Sequence, residues 1–436
     1  MQQKIANIPW EFTDKKVTAW GGMRMFKEFV DRTGVRDKLT QIGLPQPMSN
    51  RGYNPVQLIE SFWVSVWLGG VRFAHTAIVR FDEALKAIFG WKRVPSVSTY
   101  TRFFRKFGRE AVDNIFGEIN RWFFEQMPKR TFTVDLDSSV ITRYGKQEGS
   151  CIGYNPRKPG RPSHHPIMAF IADIRMVAHS WLRPGNAGSN NGALIFLRET
   201  MNILGKHRIG LLRGDSGFFD GKFFDYVERE ELSYITAVRM NRVIKERIQS
   251  LRGWITVDDG IECAEFTYQA GTWSKPRRIV AIRQLLELRP QASGKYLFDM
   301  HDYRYQAWVT NLSLPHAEVW RLYRGRADSE NRIEELKYDF GFEGFCLKEF
   351  YATEATFRCV MVAYNLISLF RQAVLGLKIQ PRLQSIRFKC FAIGSWIGKQ
   401  YRKKVLRISL PHPRRPWFEG LFAKIDDFAW DKVLQI

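Results

Sequence analysis

Tyr323, Arg326, Glu330 and Lys337 are separated by 3, 4 and 7 residues in the run YRGRADSENRIEELK. Read as a helix at about 100° per residue, the run gathers these four within roughly 60° of one another. One narrow stripe then carries a phenol, a guanidinium, a carboxylate and an ammonium. Asp135 and Asp137 alternate in TFTVDLDSS, which reads as a strand, so both point to one face. Asp215 ends the apolar run RIGLLRGDSGFF, where GDSG forces a turn, and active groups in open α/β sheets sit at such strand ends. Acids that end apolar strands are costly unless paired or bound to metal. Two aspartates and a glutamate on separate elements offer hard oxygen ligands that suit Mg²⁺ or Mn²⁺. Two such ions about 4 Å apart activate a water or a 3′-hydroxyl and stabilise the leaving oxygen in phosphodiester cleavage. On the residues alone, three unrelated structural acids in salt bridges remain the alternative.

The composition narrows the partner. The chain has 436 residues, 67 Lys and Arg against 44 Asp and Glu, and a formal net charge of +23. A basic surplus over a folded chain points to a polyanion, nucleic acid foremost. The longest uncharged helical candidate, between Arg358 and Arg371, is too short for a membrane span of about 20 residues, and the N-terminus has no apolar signal region. The expectation is therefore no membrane and a cytoplasmic, nucleoid-associated protein. Five scattered cysteines without a CxxC argue against a disulfide framework or a zinc site.

Taken in order, residues 1–128 read as a helical DNA-binding region. Ser98 is the expected N-cap of a helix carrying Arg102, Arg105 and Lys106, in the outline of a helix-turn-helix. Residues 129–231 alternate as β-β-β-α-β, which suits a mixed sheet with helices packed on it. A basic loop with the sequence PGRP falls within them. Residues 232–313 read as a β-rich insertion, residues 314–345 carry the glutamate stripe, and residues 346–436 read as a basic helical region. Within the last, residues 376–416 hold eleven Lys or Arg, Arg402, Lys403 and Lys404 among them, and no Asp or Glu. Such a block calls for phosphates nearby.

An Asp-x-Ser at the end of a first strand, a later strand-end Asp, and a helix with Y-x2-R-x3-E-x6-K together resemble the DDE transposases of bacterial insertion sequences that carry the YREK signature. The matching residues are Asp137 with Ser139, Asp215, and Tyr323, Arg326, Glu330 and Lys337. The resemblance covers about residues 130–345. It implies an α/β, RNase H-like catalytic core, with metal-dependent DNA hydrolysis and strand transfer by a cut-and-paste route. It also implies two Mg²⁺ (or Mn²⁺) ions per site and a homodimer acting on double-stranded terminal inverted repeats and target DNA. On this resemblance Asp137, Asp215 and Glu330 hold metal, and Tyr323, Arg326 and Lys337 grip phosphates. Asp135 is the rival to Asp137, and Glu334, one turn from Glu330, is a possible neighbouring acid. Trp254, Trp273 and Trp308 are candidates to stack on a flipped base, an event that costs a few kcal/mol of unstacking. An RNase H-like nuclease or resolvase without strand transfer, and a non-catalytic DNA-binding protein, are the competing functions.

Overall fold

The structure, a computed structural model, describes residues 10–285, 303–376 and 380–433. After a two-residue strand, β1 (Val17–Thr18), come seven helices: α1 (Met23–Arg32), α2 (Val35–Gln41), α3 (Pro55–Trp67), α4 (Ala77–Phe81), α5 (Glu83–Phe89), α6 (Val97–Phe104) and α7 (Arg109–Glu125). Local chemistry fixes several of their ends. Asn54 accepts from the Val56 amide with Pro55 in the first turn of α3. Asp82 caps α5 through the Leu85 amide, and Gly90 ends it in the left-handed conformation. The expected basic helix is shorter than the sequence suggests. Its N-cap is Ser96 rather than Ser98, and it ends at Phe104, so Arg105 and Lys106 lie in the turn that follows. Tyr100, Phe103, Phe104 and Phe107 are buried and set its orientation, leaving Arg102 exposed.

β2 (Phe132–Ser138) is an interior strand of a nine-stranded sheet. β3 (Ile141–Thr142), β4 (Cys151–Ile152) and β5 (Pro162–His164) form a small separate sheet, so the stretch expected as an open basic loop is partly paired. β6 (Ile167–Ile171) lies antiparallel to β2, and β7 (Met176–Trp181) antiparallel to β6. After α8 (Ala193–Leu204), β8 (Ile209–Gly214) returns parallel to β2. After α9 (Gly221–Arg229), β9 (Tyr234–Ala237) lies parallel to β8. This is the expected β-β-β-α-β order of an RNase H-like mixed sheet. Beyond α10 (Arg242–Gln249), the strands β10 (Ile255–Asp258), β11 (Ile261–Tyr268), β12 (Arg277–Leu285) and β13 (Tyr303–Thr310) do not stand apart from that sheet. β13 pairs with β9, and the order runs β10-β11-β12-β13-β9-β8-β2-β6-β7.

α11 (His316–Arg324) and α12 (Ala327–Tyr338) carry the glutamate stripe, and α13 (Phe350–Phe370) follows. α13 is buried almost throughout because both faces have partners. On one side the Asn365 carboxamide pairs with the Val177 amide and carbonyl, both at 2.8 Å, closing the β7 edge. On the other, the Trp63 and Trp67 indoles of α3 donate to the carbonyls of Cys359 and Ala363. The N-terminal helices and the sheet thus share one hydrophobic core through α13. No helix among the described residues is long and apolar enough to cross a membrane.

The C-terminal part departs from the helical expectation. α14 (Leu383–Ile386) and α15 (Arg415–Asp426) flank an antiparallel hairpin of β14 (Ser395–Gln400) and β15 (Lys403–Ile408). β1 adds to the base of that hairpin through Val17↔Trp396 and Thr18↔Ser395. Cations at Lys399, Lys403 and Lys404 mask the alternation by which a strand is recognised, and the strand that completes the sheet comes from the far end of the chain.

A buried charge cluster joins α12 to these C-terminal elements. Glu335 and Arg371 are both 0% exposed and ion-paired. Glu335 also accepts from the Leu383 amide at 2.7 Å and lies 3.4 Å from Arg332. Removing one member of a buried pair leaves the other charge uncompensated, at a cost of about 3–5 kcal/mol. Glu335→Ala is therefore expected to lose about that much stability in urea denaturation. Exposed Glu334→Gln is expected to stay within about 0.5 kcal/mol of the parent. Equal stabilities for the two variants would refute the structural role of Glu335.

Candidate functional site

The pairing of β2 with β8 runs as far as Leu136↔Gly214, one residue short of Asp137 and Asp215. The two aspartates therefore stand side by side at neighbouring strand ends, as parallel register requires. Asp137 is 6% exposed. It accepts from the Ser138 amide at 2.8 Å and pairs with Nη2 of Arg326 at 2.8 Å. Burial pushes its carboxyl up to about 6; Arg326 opposes the rise, and the charges of Asp215 and Glu330 add to it. Asp215, half-buried, accepts from the Gly217 amide at 2.9 Å and so caps the turn that GDSG makes.

Arg326 is buried among these acids. Nη2 also reaches the Leu136 carbonyl at 3.3 Å, Nη1 stands 3.9 Å from Glu330, and Nε has no hydrogen-bond partner among the described residues. Burial works against its charge, yet Asp137, Tyr323, Asp215 and Asp135 outweigh that and raise its pKa. The Tyr323 hydroxyl donates to the Gly214 carbonyl at 3.3 Å, and its ring lies 5.2 Å from that of Trp308. Glu330 projects outward, its side chain 74% exposed. Lys337 is 3.2 Å from Glu343 and donates to the Val140 carbonyl at 3.4 Å, just past the end of β2.

The stripe is not one continuous helix. α11 stops at Arg324, Gly325 and Arg326 form a turn, and α12 starts at Ala327. The cause is Arg213. Its Nη1 takes the Leu322 carbonyl, so the Arg326 amide turns back to Tyr323 at 2.9 Å. A Cβ on Gly325 would lie 2.8 Å from that same nitrogen. The break swings Arg326 inward over Asp137.

Arg213 also separates the two candidate aspartates of β2. It stands opposite Asp135 in the register and grips it with two hydrogen bonds, at 2.6 and 2.8 Å. Asp135, 1% exposed, is thus bound on both oxygens, whereas Asp137 faces Asp215. Glu334 turns away from the aspartates to Arg382, at 3.4 Å. Trp308 and Trp273 are 3% and 6% exposed, buried in the core rather than free for a base. The half-buried Trp254 ring is covered by Arg283. Arg102 is exposed, Arg105 pairs with Glu349, and Lys106 reaches the Gln46 carbonyl. Arg402, Lys403 and Lys404 lie on the hairpin, outside the carboxylate cluster.

Two supporting residues escape sequence reasoning. Arg213 leaves one signal: a lone cation inside an apolar strand needs an acid on a neighbouring strand. Arg183 leaves none. It is 5% exposed, and its Nη1 donates to the carbonyls of Gly188, Ser189 and Asn191. That loop reaches both strand ends. Ser189 Oγ is 3.2 Å from Ser138 Oγ, and a Cβ on Gly217 would lie 2.5 Å from it.

Among the described residues no three acidic, histidine or cysteine side chains converge tightly enough to hold one ion. The donor chemistry nevertheless fits a hard divalent cation. Two carboxylates adjoin, one of them is buried with its pKa raised, and a third acid is close enough to be felt.

Among solved structures, a piggyBac transposase in a synaptic complex with hairpin DNA, determined by cryo-EM, is similar over 84% of this chain and 78% of that one. The TM-score is 0.45 and the identity 12%. No curated protein matches. The family model described as "Transposase DDE domain group 1" matches residues 2–430. The chain belongs to that family, and it is a DDE-type DNA transposase, an enzyme of metal-dependent DNA cleavage and strand transfer.

Proposed function

We propose that Asp137, Asp215 and Glu330 are the metal-holding carboxylates of this transposase, and that two Mg²⁺ or Mn²⁺ ions are the cofactors. The observation that carries this reading is the convergence of charge on Asp137, a buried carboxylate facing Asp215 and Glu330 with a single guanidinium to offset them. Bound divalent metal supplies Lewis-acid activation of the attacking water or 3′-hydroxyl and of the leaving oxygen. The chain's own groups do the rest. Arg326 pairs with Asp137 and is the cation that would meet a phosphate brought to these acids. Tyr323, braced by Trp308, aims its hydroxyl at the strand end that bears Asp215. Lys337 adds positive charge beside the end of β2. Asp135 serves to hold Arg213, and through it the helix break.

The substrate we infer is double-stranded DNA at terminal inverted repeats, cut and rejoined into target DNA by a homodimer in a cut-and-paste reaction on the bacterial nucleoid. Asp215→Asn and Glu330→Gln are expected to bring Mg²⁺-dependent cleavage of an end duplex below detection. The Kd for that duplex should change by less than about tenfold, or about 1.4 kcal/mol. Glu334→Gln, on the same helix, should cleave as the parent does. Parent-like cleavage by either of the first two variants would overturn the assignment. Strand transfer from pre-cut ends separates a transposase from a simple nuclease.

The buried Asp137 also gives a test on metal-free protein. Its pKa in the fold, about 6, lies above the ordinary 3.8. A raised acid favours the fold when protonated, so its contribution is full below about pH 4 and is lost as pH rises through about 6. The stability of the wild type relative to Asp137→Asn should therefore decline by about 2.4 kcal/mol between about pH 4 and pH 7. The constant cost of leaving Arg326 unpaired does not affect this slope. Denaturation in EDTA across that range measures it, and a flat difference would mean that Asp137 is not a buried, strained carboxylate.

A further inference from the structure

Nine of the basic residues of 376–416 fall into two groups. Arg382 pairs with Asp339 and Glu334. Arg387 donates to the Trp67 and Asp339 carbonyls. Arg414 and Arg415 donate to the carbonyls of Lys389 and Leu410. These four hold the fold together. Lys399, Arg402, Lys403, Lys404 and Arg407 are different: all five lie on the β14–β15 hairpin, and none has an ion pair or a side-chain hydrogen bond among the described residues.

The hairpin is rooted and its tip is free. Its base holds buried Ser395, the pairing with β1, and a bond from the Ile397 amide to the Lys16 carbonyl. Its outer end is exposed from Lys399 to Lys404. Lys399 stands directly across from Lys404, and like charges opposite one another destabilise a sheet. The turn between Gln400 and Lys403 is Tyr401–Arg402, with Tyr401 at φ 54° and 96% exposed. A two-residue hairpin turn with positive φ ordinarily takes Gly, Asn or Asp. Repulsion across the strands and a strained, exposed aromatic at the tip are both unfavourable to the isolated hairpin. Both fit a surface shaped to meet a polyanion.

We propose that β14–β15 is a DNA-binding ribbon that enters the major groove of duplex DNA, with Lys399, Lys403 and Lys404 on phosphates and Tyr401 leading. Six residues per strand span about 20 Å, and the major groove, about 12 Å wide, admits a two-stranded ribbon. The choice of DNA as the polyanion rests on the transposase assignment; the surface itself does not.

The test is the full-length triple variant Lys399→Gln, Lys403→Gln, Lys404→Gln, titrated with a duplex of arbitrary sequence over a range of salt. The slope of log affinity against log salt should become shallower by about 0.9 for each phosphate no longer neutralised, about 2.7 in all. Thermal stability should not fall, since a repulsive pair is removed. Arg382→Gln should instead lower stability and leave the slope unchanged. A wild-type slope in the triple variant overturns the ribbon, as does a larger loss of affinity for single-stranded DNA than for duplex. Mg²⁺-dependent cleavage by the wild type, assayed alongside, keeps failure of the ribbon distinct from failure of the catalytic reading.

Discussion

Two carboxylates at the ends of adjacent parallel strands repel each other, and the buried one requires a cation. Much of the site's architecture follows from meeting that need. That cation is Arg326, 2.8 Å from Asp137. It reaches the aspartate because the helix breaks at Gly325–Arg326. The break depends on Arg213 holding the Leu322 carbonyl, and Arg213 is itself aimed by two bonds to Asp135. Asp135 and Asp137 are two residues apart on one strand and share a face, yet they differ in task. The first is satisfied by Arg213; the second, next to Asp215, has one guanidinium to offset the acids around it. Burial pushes the Asp137 carboxyl up to about 6, with the charges of Asp215 and Glu330 adding to the rise and Arg326 opposing it.

The Glu330 helix is held unequally along its length. At its far end Glu335 is fixed in a dry cluster with Arg371 and Arg332, which locks α12 against α13 and the C-terminal segment. One residue earlier Glu334 turns to Arg382, and at the near end Glu330 projects into solvent. A rigid far end and an exposed near end let a carboxylate approach a ligand without disturbing the core. α13 extends the same constraint, because it packs against β7 on one side and α3 on the other. The position of Glu330 therefore depends on residues from both ends of the chain.

Much of the site is legible in the sequence. The alternation in TFTVDLDSS and the apolar run before Asp215 place both aspartates at strand ends, where the structure has them. The spacing of Tyr323, Arg326 and Glu330 groups residues that do meet around Asp137. What the sequence hides is long-range partner choice. Continuous helical periodicity from Tyr323 to Lys337 carries no sign that Arg213, about a hundred residues upstream, takes the carbonyl that would have continued α11. Asp135 and Asp137 are indistinguishable without the β2–β8 register, which sets Arg213 opposite one of them. The hairpin at Ser395–Ile408 reads as helix for a similar reason: its base is completed by Val17–Thr18, and its tip lacks the apolar alternation that packing against a core would impose.

The basic surplus shows the same limit from the other direction. A net charge of +23 predicts a polyanion partner but does not say which cations face it. Arg213, Arg326, Arg358 and Arg371 are each at most 5% exposed and set against buried acids, where each offsets a carboxylate that would otherwise be costly. These arginines belong to the fold and the carboxylate cluster, and each is set against an acid. On the hairpin tip, by contrast, Lys399, Arg402, Lys403 and Lys404 reach solvent with no ion pair among the described residues. Arginine's planar fork suits fixed, bidentate pairing, and lysine's compact ammonium suits a phosphate lattice that needs no single geometry. In this chain the division follows position in the fold more than residue type: Arg402 and Arg407 stand on the hairpin beside its lysines with no ion pair among the described residues, while Lys38 and Lys337 pair with acids.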